Sequence, residues 1–181
     1  PLFGFVGRLV WEKGADILPE AIDQALKRFD INIILLGSGS EEVENQLRAL
    51  QHKYSGSYNA YIGYEERMSH QVYAAADFLL MPSRVEPCGL NQLYCLRYGC
   101  MPIVRRTGGL KDTVIDIGDD GFGICHDQTT VSDVVYSIER AVTHFKDIKK
   151  HKAIQKTMME IDHSWENAAD SYISLYQQLN T

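Results

Sequence analysis

The feature that most constrains this chain is a repeated exchange between two hydrophobic periods. Short, almost wholly apolar runs alternate with longer segments whose apolar residues recur at helical spacing. Residues 2–6, 31–36, 58–62, 78–81 and 101–104 read as strands, with 121–125 as a sixth. Between them, 15–29 places Ile17, Leu18, Ala21, Ile22, Ala25 and Leu26 on one helical face. Residues 41–54 do the same with Val43, Leu47 and Leu50, and 68–76 and 90–98 form shorter helices. Beyond them the chain reads as three helices, 131–145, 148–160 and 164–179. Strands this apolar are buried on both faces, which is the habit of parallel sheets. The expected fold is therefore α/β: an open, doubly wound, mostly parallel Rossmann-like sheet with right-handed crossovers. The 181 residues suit a single domain, 1–181. In such a sheet ligands bind beyond the carboxyl ends of the strands. The loops after Val6, Leu36, Ile62, Met81 and Val104 thus share one rim.

Charge and composition remove several classes of function. Eighteen basic against 24 acidic residues leave a net charge of −6. A broad basic face for nucleic acid is not expected. No apolar run reaches the length of a membrane span. The four cysteines form no C-x-x-C pair, so a reduced, cytoplasmic setting is expected. The six histidines show no metal-ligand spacing and read as surface or helix-packing residues. The chain starts at Pro1, inside an apparent strand and without a signal peptide, and so reads as a fragment whose N-terminal part is absent.

The rim loops hold the chemistry. They are 7–14 (Gly-Arg-Leu-Val-Trp-Glu-Lys-Gly), 37–39 (Gly-Ser-Gly), 63–65 (Gly-Tyr-Glu), 82–91 (Pro-Ser-Arg-Val-Glu-Pro-Cys-Gly-Leu-Asn) and 105–110 (Arg-Arg-Thr-Gly-Gly-Leu). Glycines let backbone N–H groups approach an anion, and the helix entered at 89–91 adds its positive dipole end. Arg8 can grip a phosphate with its planar fork, and Lys13 acts as a point charge. Tyr64 can stack a base, and Glu86 can accept hydrogen bonds from sugar hydroxyls. Each residue also has a plainer use. Arg8 and Lys13 suit surface ion pairs with Glu12 and Asp16, Tyr64 suits rim packing, and Glu86 suits a helix cap. Arg105-Arg106 suits a solvated basic pair. Gly37-Ser38-Gly39 lacks the third glycine of G-x-G-x-x-G. Cys88 has no neighbouring base that would make it a nucleophile. Their common placement on one rim favours a phosphorylated ligand.

At these residues the chain resembles the bacterial glycogen synthase and plant starch synthase family, retaining glucosyltransferases of the two-domain GT-B fold. The matching stretches are Gly7-Arg8-Leu9 with Glu12-Lys13-Gly14, Ile62-Gly63-Tyr64, Pro82-Ser83-Arg84, Glu86-Pro87-Cys88-Gly89-Leu90, Gln92-Leu93-Tyr94 and Arg105–Leu110 with Asp112-Thr113-Val114. The resemblance spans essentially the whole chain, as the C-terminal half of a GT-B enzyme. It implies that Arg8 and Lys13 bind the diphosphate of ADP-glucose or UDP-glucose and, with Glu86, form the catalytic set. Substrate would also be held by Gly7, Gly37, Tyr64, Cys88, Gly89, Leu90, Asn91, Thr107 and Gly108. It further implies no cofactor and no metal, an α-1,4-glucan acceptor bound through the absent N-terminal domain, and no transfer by this fragment alone. Asn91 departs from the Thr that many bacterial members carry. Tyr94 stands where other GT-B enzymes place a second Glu, which argues against the broader sucrose-synthase-like group. Another GT-B sugar transferase and a non-catalytic nucleotide-sugar-binding or scaffold domain are the competing readings. In GT-B folds the C-terminal helix often crosses to the other domain. The stripe of Trp165, Ala168, Ala169, Tyr172, Leu175, Tyr176 and Leu179 would then leave an exposed apolar patch, a displaced helix or self-association.

Overall fold

A computed structural model describes residues 1–179. Its elements run β1 (Leu2–Leu9), α1 (Leu18–Arg28), β2 (Asn32–Gly39), α2 (Glu41–Lys53), β3 (Tyr58–Ile62), α3 (Glu66–Ala75), β4 (Phe78–Met81), α4 (Asn91–Tyr98), β5 (Met101–Arg105), α5 (Gly108–Thr113), β6 (Ile124–His126), α6 (Val131–Phe145), α7 (Ile148–Glu160) and α8 (Trp165–Leu179). The strands form one sheet of order β3-β2-β1-β4-β5-β6, and every pair is parallel.

Strand alternation distributes the core over both faces of the sheet. Phe3, Phe5, Phe78, Leu80, Met101, Ile103 and Ile124 meet Ile22 and Ala25 of α1, Leu47 of α2 and Val135 and Ile138 of α6. Phe3 and Phe78 stack at 5.1 Å between ring centroids. Leu79, Met81, Val104 and Cys125 point the other way, against Val72 and Tyr73 of α3, Cys95 of α4 and Leu110 of α5. Two apolar layers on one sheet explain why the strands carry so few polar residues.

Several boundaries depart from the sequence reading. Gly37-Ser38-Gly39 is not a loop but the end of β2, in register with Gly7, Arg8 and Leu9. Glycines usually break strands. Here a Cβ on Gly37 would collide with the Gly7 carbonyl, so the glycine is what lets the two strands run on together. Residues 15–17 form a 3-10 turn, and α1 starts only at Leu18. Helix α3 starts at Glu66 because the Glu65 carboxylate accepts from the Arg67 and Met68 N–H groups at 2.9 and 2.8 Å. Helix α5, opened by two glycines, had no sequence signal. The sixth strand is Ile124–His126. None of the residues of α8 is buried; Trp165, Tyr172, Ile173, Leu175, Tyr176 and Leu179 form the expected exposed apolar patch. Among the described residues no helix is long and apolar enough to cross a membrane.

The histidines are not uniformly surface or helix-packing residues. His126 is buried in β6, with Nδ1 at 2.9 Å from the Gln128 carbonyl. His151 is buried between Phe78, Phe145 and His144, and neither of its ring nitrogens has a hydrogen-bond partner. Burial, and then the neighbouring His144, hold its pKa below the ordinary 6.5, with Asp77 opposing. The unfolded chain therefore binds more protons than the folded one as pH falls through about 6.5, and stability is lost there. Urea midpoints should fall between pH 7 and pH 5, and His151→Phe should flatten that slope. His126 and His144, also depressed by burial, should keep it above zero.

Candidate functional site at the carboxyl rim

After β1 the chain turns through a 3-10 segment, Trp11–Lys13, and reverses at Gly14. Gly14 has φ +68°, and a Cβ there would strike the Pro82 carbonyl, so only glycine lets this loop lie against the loop after β4. The two loops are joined by the Arg84 and Val85 N–H groups, which donate to the Glu12 carbonyl at 2.8 and 3.1 Å. The Arg84 guanidinium clamps the same junction. It bonds Asp16 at 2.5 and 2.9 Å and the Trp11 carbonyl at 2.8 Å, and it lies 4.7 Å above the Trp11 ring. The Arg84 hydrogen bond holds the Asp16 carboxyl below its usual range.

This junction aims Lys13 at Glu86. Their side chains are ion-paired, and Ser83 Oγ donates to the same carboxylate at 3.2 Å. A small pocket lined by Gly7, Lys13, Ser83, Glu86 and Asn91 surrounds the pair. Asn91, the first residue of α4, donates its side-chain amide to the Val6 carbonyl at 2.7 Å and so fixes the helix start to the end of β1. The turn before α4 is held from within. The buried Gln92 amide donates to the Cys88 and Gly89 carbonyls and to Thr113 Oγ1, at 3.1, 2.9 and 3.2 Å. Among the described residues, the backbone N–H groups of Cys88, Gly89 and Leu90 are spent on no other group. Cys88 and Leu90 are exposed. Thr107 donates its Oγ1 hydroxyl to the Arg84 carbonyl at 3.5 Å. The Gly109 N–H donates to the Glu86 carbonyl at 3.1 Å.

A second cavity, of about 260 Å³, adjoins this pocket and shares Gly7 and Asn91 with it. Its walls include Arg8, Gly37, Ser38, Gly63 and Tyr64 from three strand ends, with His70 and Tyr73 from α3 and Tyr94 from α4. The Arg8 side chain is exposed and makes no ion pair or hydrogen bond among the described residues. Tyr64 is 83% exposed. His70 contacts Tyr73 and Tyr94 edge-on and places Nδ1 at 3.1 Å from the Tyr98 hydroxyl.

All twelve sequence candidates thus lie on one rim: Arg8, Gly37 and Tyr64 in the larger cavity, Lys13 and Glu86 in the smaller, Gly7 and Asn91 in both. Cys88, Gly89 and Leu90 form the turn into α4, and Thr107 and Gly108 flank Glu86. The plainer pairings do not occur. Asp16 takes Arg84 instead, Lys13 takes Glu86, and the Glu86 side chain does not cap α4. Sequence reasoning missed His70, Tyr73 and the role of Gln92. The spacing of His70 and Tyr73, one helical turn apart just after the rim loop at 63–65, was the available signal. Among the described residues no group of three or more His, Cys, Asp or Glu side chains is placed to hold a metal ion.

Residues 1–158 match the family model described as Glycosyl transferases group 1. The chain is 56% identical over 178 residues to a glycogen synthase of Flavobacterium johnsoniae, covering 97% of this chain and 38% of that protein. It is 46% identical over 179 residues to a glycogen synthase of Myxococcus xanthus, covering 99% and 37%. Among solved structures, the catalytic domain of starch synthase IV from Arabidopsis thaliana, bound to ADP and acarbose, superposes with a TM-score of 0.87 at 34% identity. That match covers 98% of this chain and 38% of the other. The chain therefore spans well under half the length of these relatives.

Gly108 tests how tightly the site is built. Its φ is +42°, and a Cβ would collide with the Glu86 carbonyl. Gly108→Ala should cost about 1–3 kcal/mol in chemical denaturation and displace Glu86, whereas Gly56→Ala, where a Cβ meets no neighbouring atom, should cost less than Gly108→Ala.

Proposed function

The chain belongs to the group 1 glycosyl transferases, and from that premise we propose that it is the donor-binding unit of an α-1,4-glucan synthase. The full protein would move glucose from ADP-glucose, or UDP-glucose, to the non-reducing end of the glucan with retention of configuration. The observation that carries this reading is the position of the Lys13–Glu86 pair. The pair lines a pocket that shares Gly7 and Asn91 with the cavity walled by Arg8, and Asn91 directly follows the turn at 88–90 with its unspent N–H groups.

The base would stack on Tyr64 in the cavity walled by His70, Tyr73 and Tyr94. The ribose and diphosphate would pass Gly7 and Gly37, where no side chain blocks the backbone. Arg8 and Lys13 would face the two phosphates, and the start of α4 would add its N–H groups and dipole. As the glycosidic bond breaks, negative charge grows on the departing diphosphate. Fixed positive groups aimed at that charge lower the barrier without reorganising. Arg8 and Lys13 supply this countercharge, so the reading invokes no metal or cofactor. Glu86 would release part of its hold on Lys13 and accept hydrogen bonds from glucose hydroxyls. Thr107 and Gly108 would close the sugar side.

The acceptor glucan would be presented chiefly by the remainder of the longer protein. The exposed face of α8 would meet that remainder, and in its absence would drive self-association. Four unpaired cysteines suit a cytoplasmic enzyme.

Calorimetric titration with ADP should show binding that Arg8→Ala and Lys13→Ala each weaken by about 1.5–3 kcal/mol. The two variants should differ in stability. Arg8→Ala removes no side-chain ion pair or hydrogen bond among the described residues, whereas Lys13→Ala leaves the buried Glu86 carboxylate with Ser83 alone and should lower the thermal midpoint. Wild-type affinity in Arg8→Ala would remove the diphosphate role. With radiolabelled ADP-glucose, this chain alone should put no label into glycogen.

A further inference from the structure

We propose that His70 binds the nucleobase: its Nε2–H donates a hydrogen bond to a ring nitrogen or carbonyl oxygen of the base, and Tyr98 is the positioning residue that fixes it for this. The inference rests on reading the 260 Å³ cavity as the nucleotide site.

The cavity has walls of two kinds. Gly7, Arg8, Gly37 and Ser38 come from the ends of β1 and β2 and offer backbone and a guanidinium, which suit phosphate. Tyr64, His70, Tyr73 and Tyr94 come from the loop after β3 and from α3 and α4, and offer aromatic rings. Rings stack any base, because every base has a π-face. Stacking leaves the base free to turn in its own plane, and a directional group is needed to stop it.

His70 has the geometry of that group. Its ring is boxed in by Tyr73 and Tyr94, edge-on at 6.0 and 5.8 Å between centroids, and by Tyr98 at 5.8 Å. Nδ1 lies 3.1 Å from the Tyr98 hydroxyl, and Tyr98 is not one of the cavity walls. The two nitrogens of an imidazole point away from each other, so a bond that takes Nδ1 out to Tyr98 leaves Nε2 for the cavity. Nε2 has no partner among the described residues. A phenol O–H donates more strongly than its oxygen accepts. Tyr98 therefore donates to Nδ1, and the neutral ring carries its proton on Nε2. Two neighbours in the wall are less suited. The Ser69 hydroxyl already donates to the Glu66 carbonyl at 2.6 Å, and Glu66 is an exposed side chain that would lose rotamer freedom on binding. Adenine and uracil both carry acceptors, so this bond adds affinity for either donor nucleotide.

Nitrogen-15 shifts of the imidazole report the arrangement directly. In the free chain Nδ1 should show the unprotonated type of shift and Nε2 the protonated type. ADP should move Nε2, and inorganic pyrophosphate should not. His70→Phe should weaken ADP by roughly tenfold, the worth of one hydrogen bond. His70→Gln, whose amide N–H reaches the Nε2 position, should recover part of it, and both variants should keep wild-type pyrophosphate affinity. Tyr98→Phe should spread the ring proton over both nitrogens and weaken ADP by less than His70→Phe. An Nε2 signal that ADP leaves in place, or full ADP affinity in His70→Phe, overturns the assignment. So does a His70→Gln chain that holds pyrophosphate but binds ADP no better than His70→Phe. Unchanged ring shifts in Tyr98→Phe overturn the part given to Tyr98. If ADP still shifts the backbone amides of residues 7–14, the donor site survives and only the His70 bond is lost. If ADP shifts neither, the reading of the cavity as a nucleotide site fails on its own account.

Discussion

The sheet reverses its direction of growth between β1 and β4, and the site exists because of that reversal. From β1 the chain builds outward through β2 and β3, then returns to lay β4 on the other side of β1. The loops leaving β1 and β4 therefore diverge to opposite faces while their first residues stay side by side. A crevice opens there in any sheet of this kind. In this one it is closed at the bottom by backbone contacts. Gly14 lies against Pro82, the Glu12 carbonyl takes two N–H groups from the β4 loop, and Asn91 ties α4 back to Val6. Lys13 meets Glu86 only because these contacts set the two loops at one spacing.

The two cations of the crevice are in different states, and the difference has a physical logic. A buried carboxylate without a partner is costly. Glu86 is held by Lys13 and Ser83, so the buried carboxylate is satisfied and both side chains are fixed in place. Arg8 stands at the solvent edge and needs no partner. It can engage a ligand without first breaking an internal bond. Other arginines are neutralised internally: Arg84 on Asp16, and Arg140 with Arg106 on Asp116. Burial alone would raise the Asp116 carboxyl, but bonds from Arg140 and from the Cys125 and Gly118 N–H groups outweigh it and keep the pKa low.

What could be read from the sequence was what depends on period and on loop placement. Five of the strands, the helices over most of their length, and the shared rim followed from apolar runs and from the rule that ligands bind at strand ends. What could not be read depends on contacts between distant residues. Gly37 and Gly39 resembled loop glycines because their reason for being glycine is the Gly7 and Leu9 backbone, some thirty positions away. Helix α5 was invisible because its start is held by the Glu86 carbonyl rather than by its own propensity. The direct pairing of Lys13 with Glu86 was not foreseen, because Glu12 and Asp16, its neighbours in sequence, are the partners a reader can see. Gln92 looked like an ordinary helical residue, and only its burial shows that its amide shapes the turn at 88–90.

The openness of the same crevice bears on how much catalysis this unit can supply. Arg8, Tyr64, Cys88 and Leu90 all face solvent. Two unit charges about 4 Å apart attract by about 1 kcal/mol in bulk water and by about 4 kcal/mol where the effective dielectric constant is near 20. An arginine gripping a phosphate in open solvent therefore contributes to binding but little to the barrier. The same arginine in a water-excluded cleft contributes to both. The geometry on this rim sets where the charges point, and a surface closing over it sets what they are worth. On the proposed reading, nucleotide binding would need only the rim, while sugar transfer would need the rim covered.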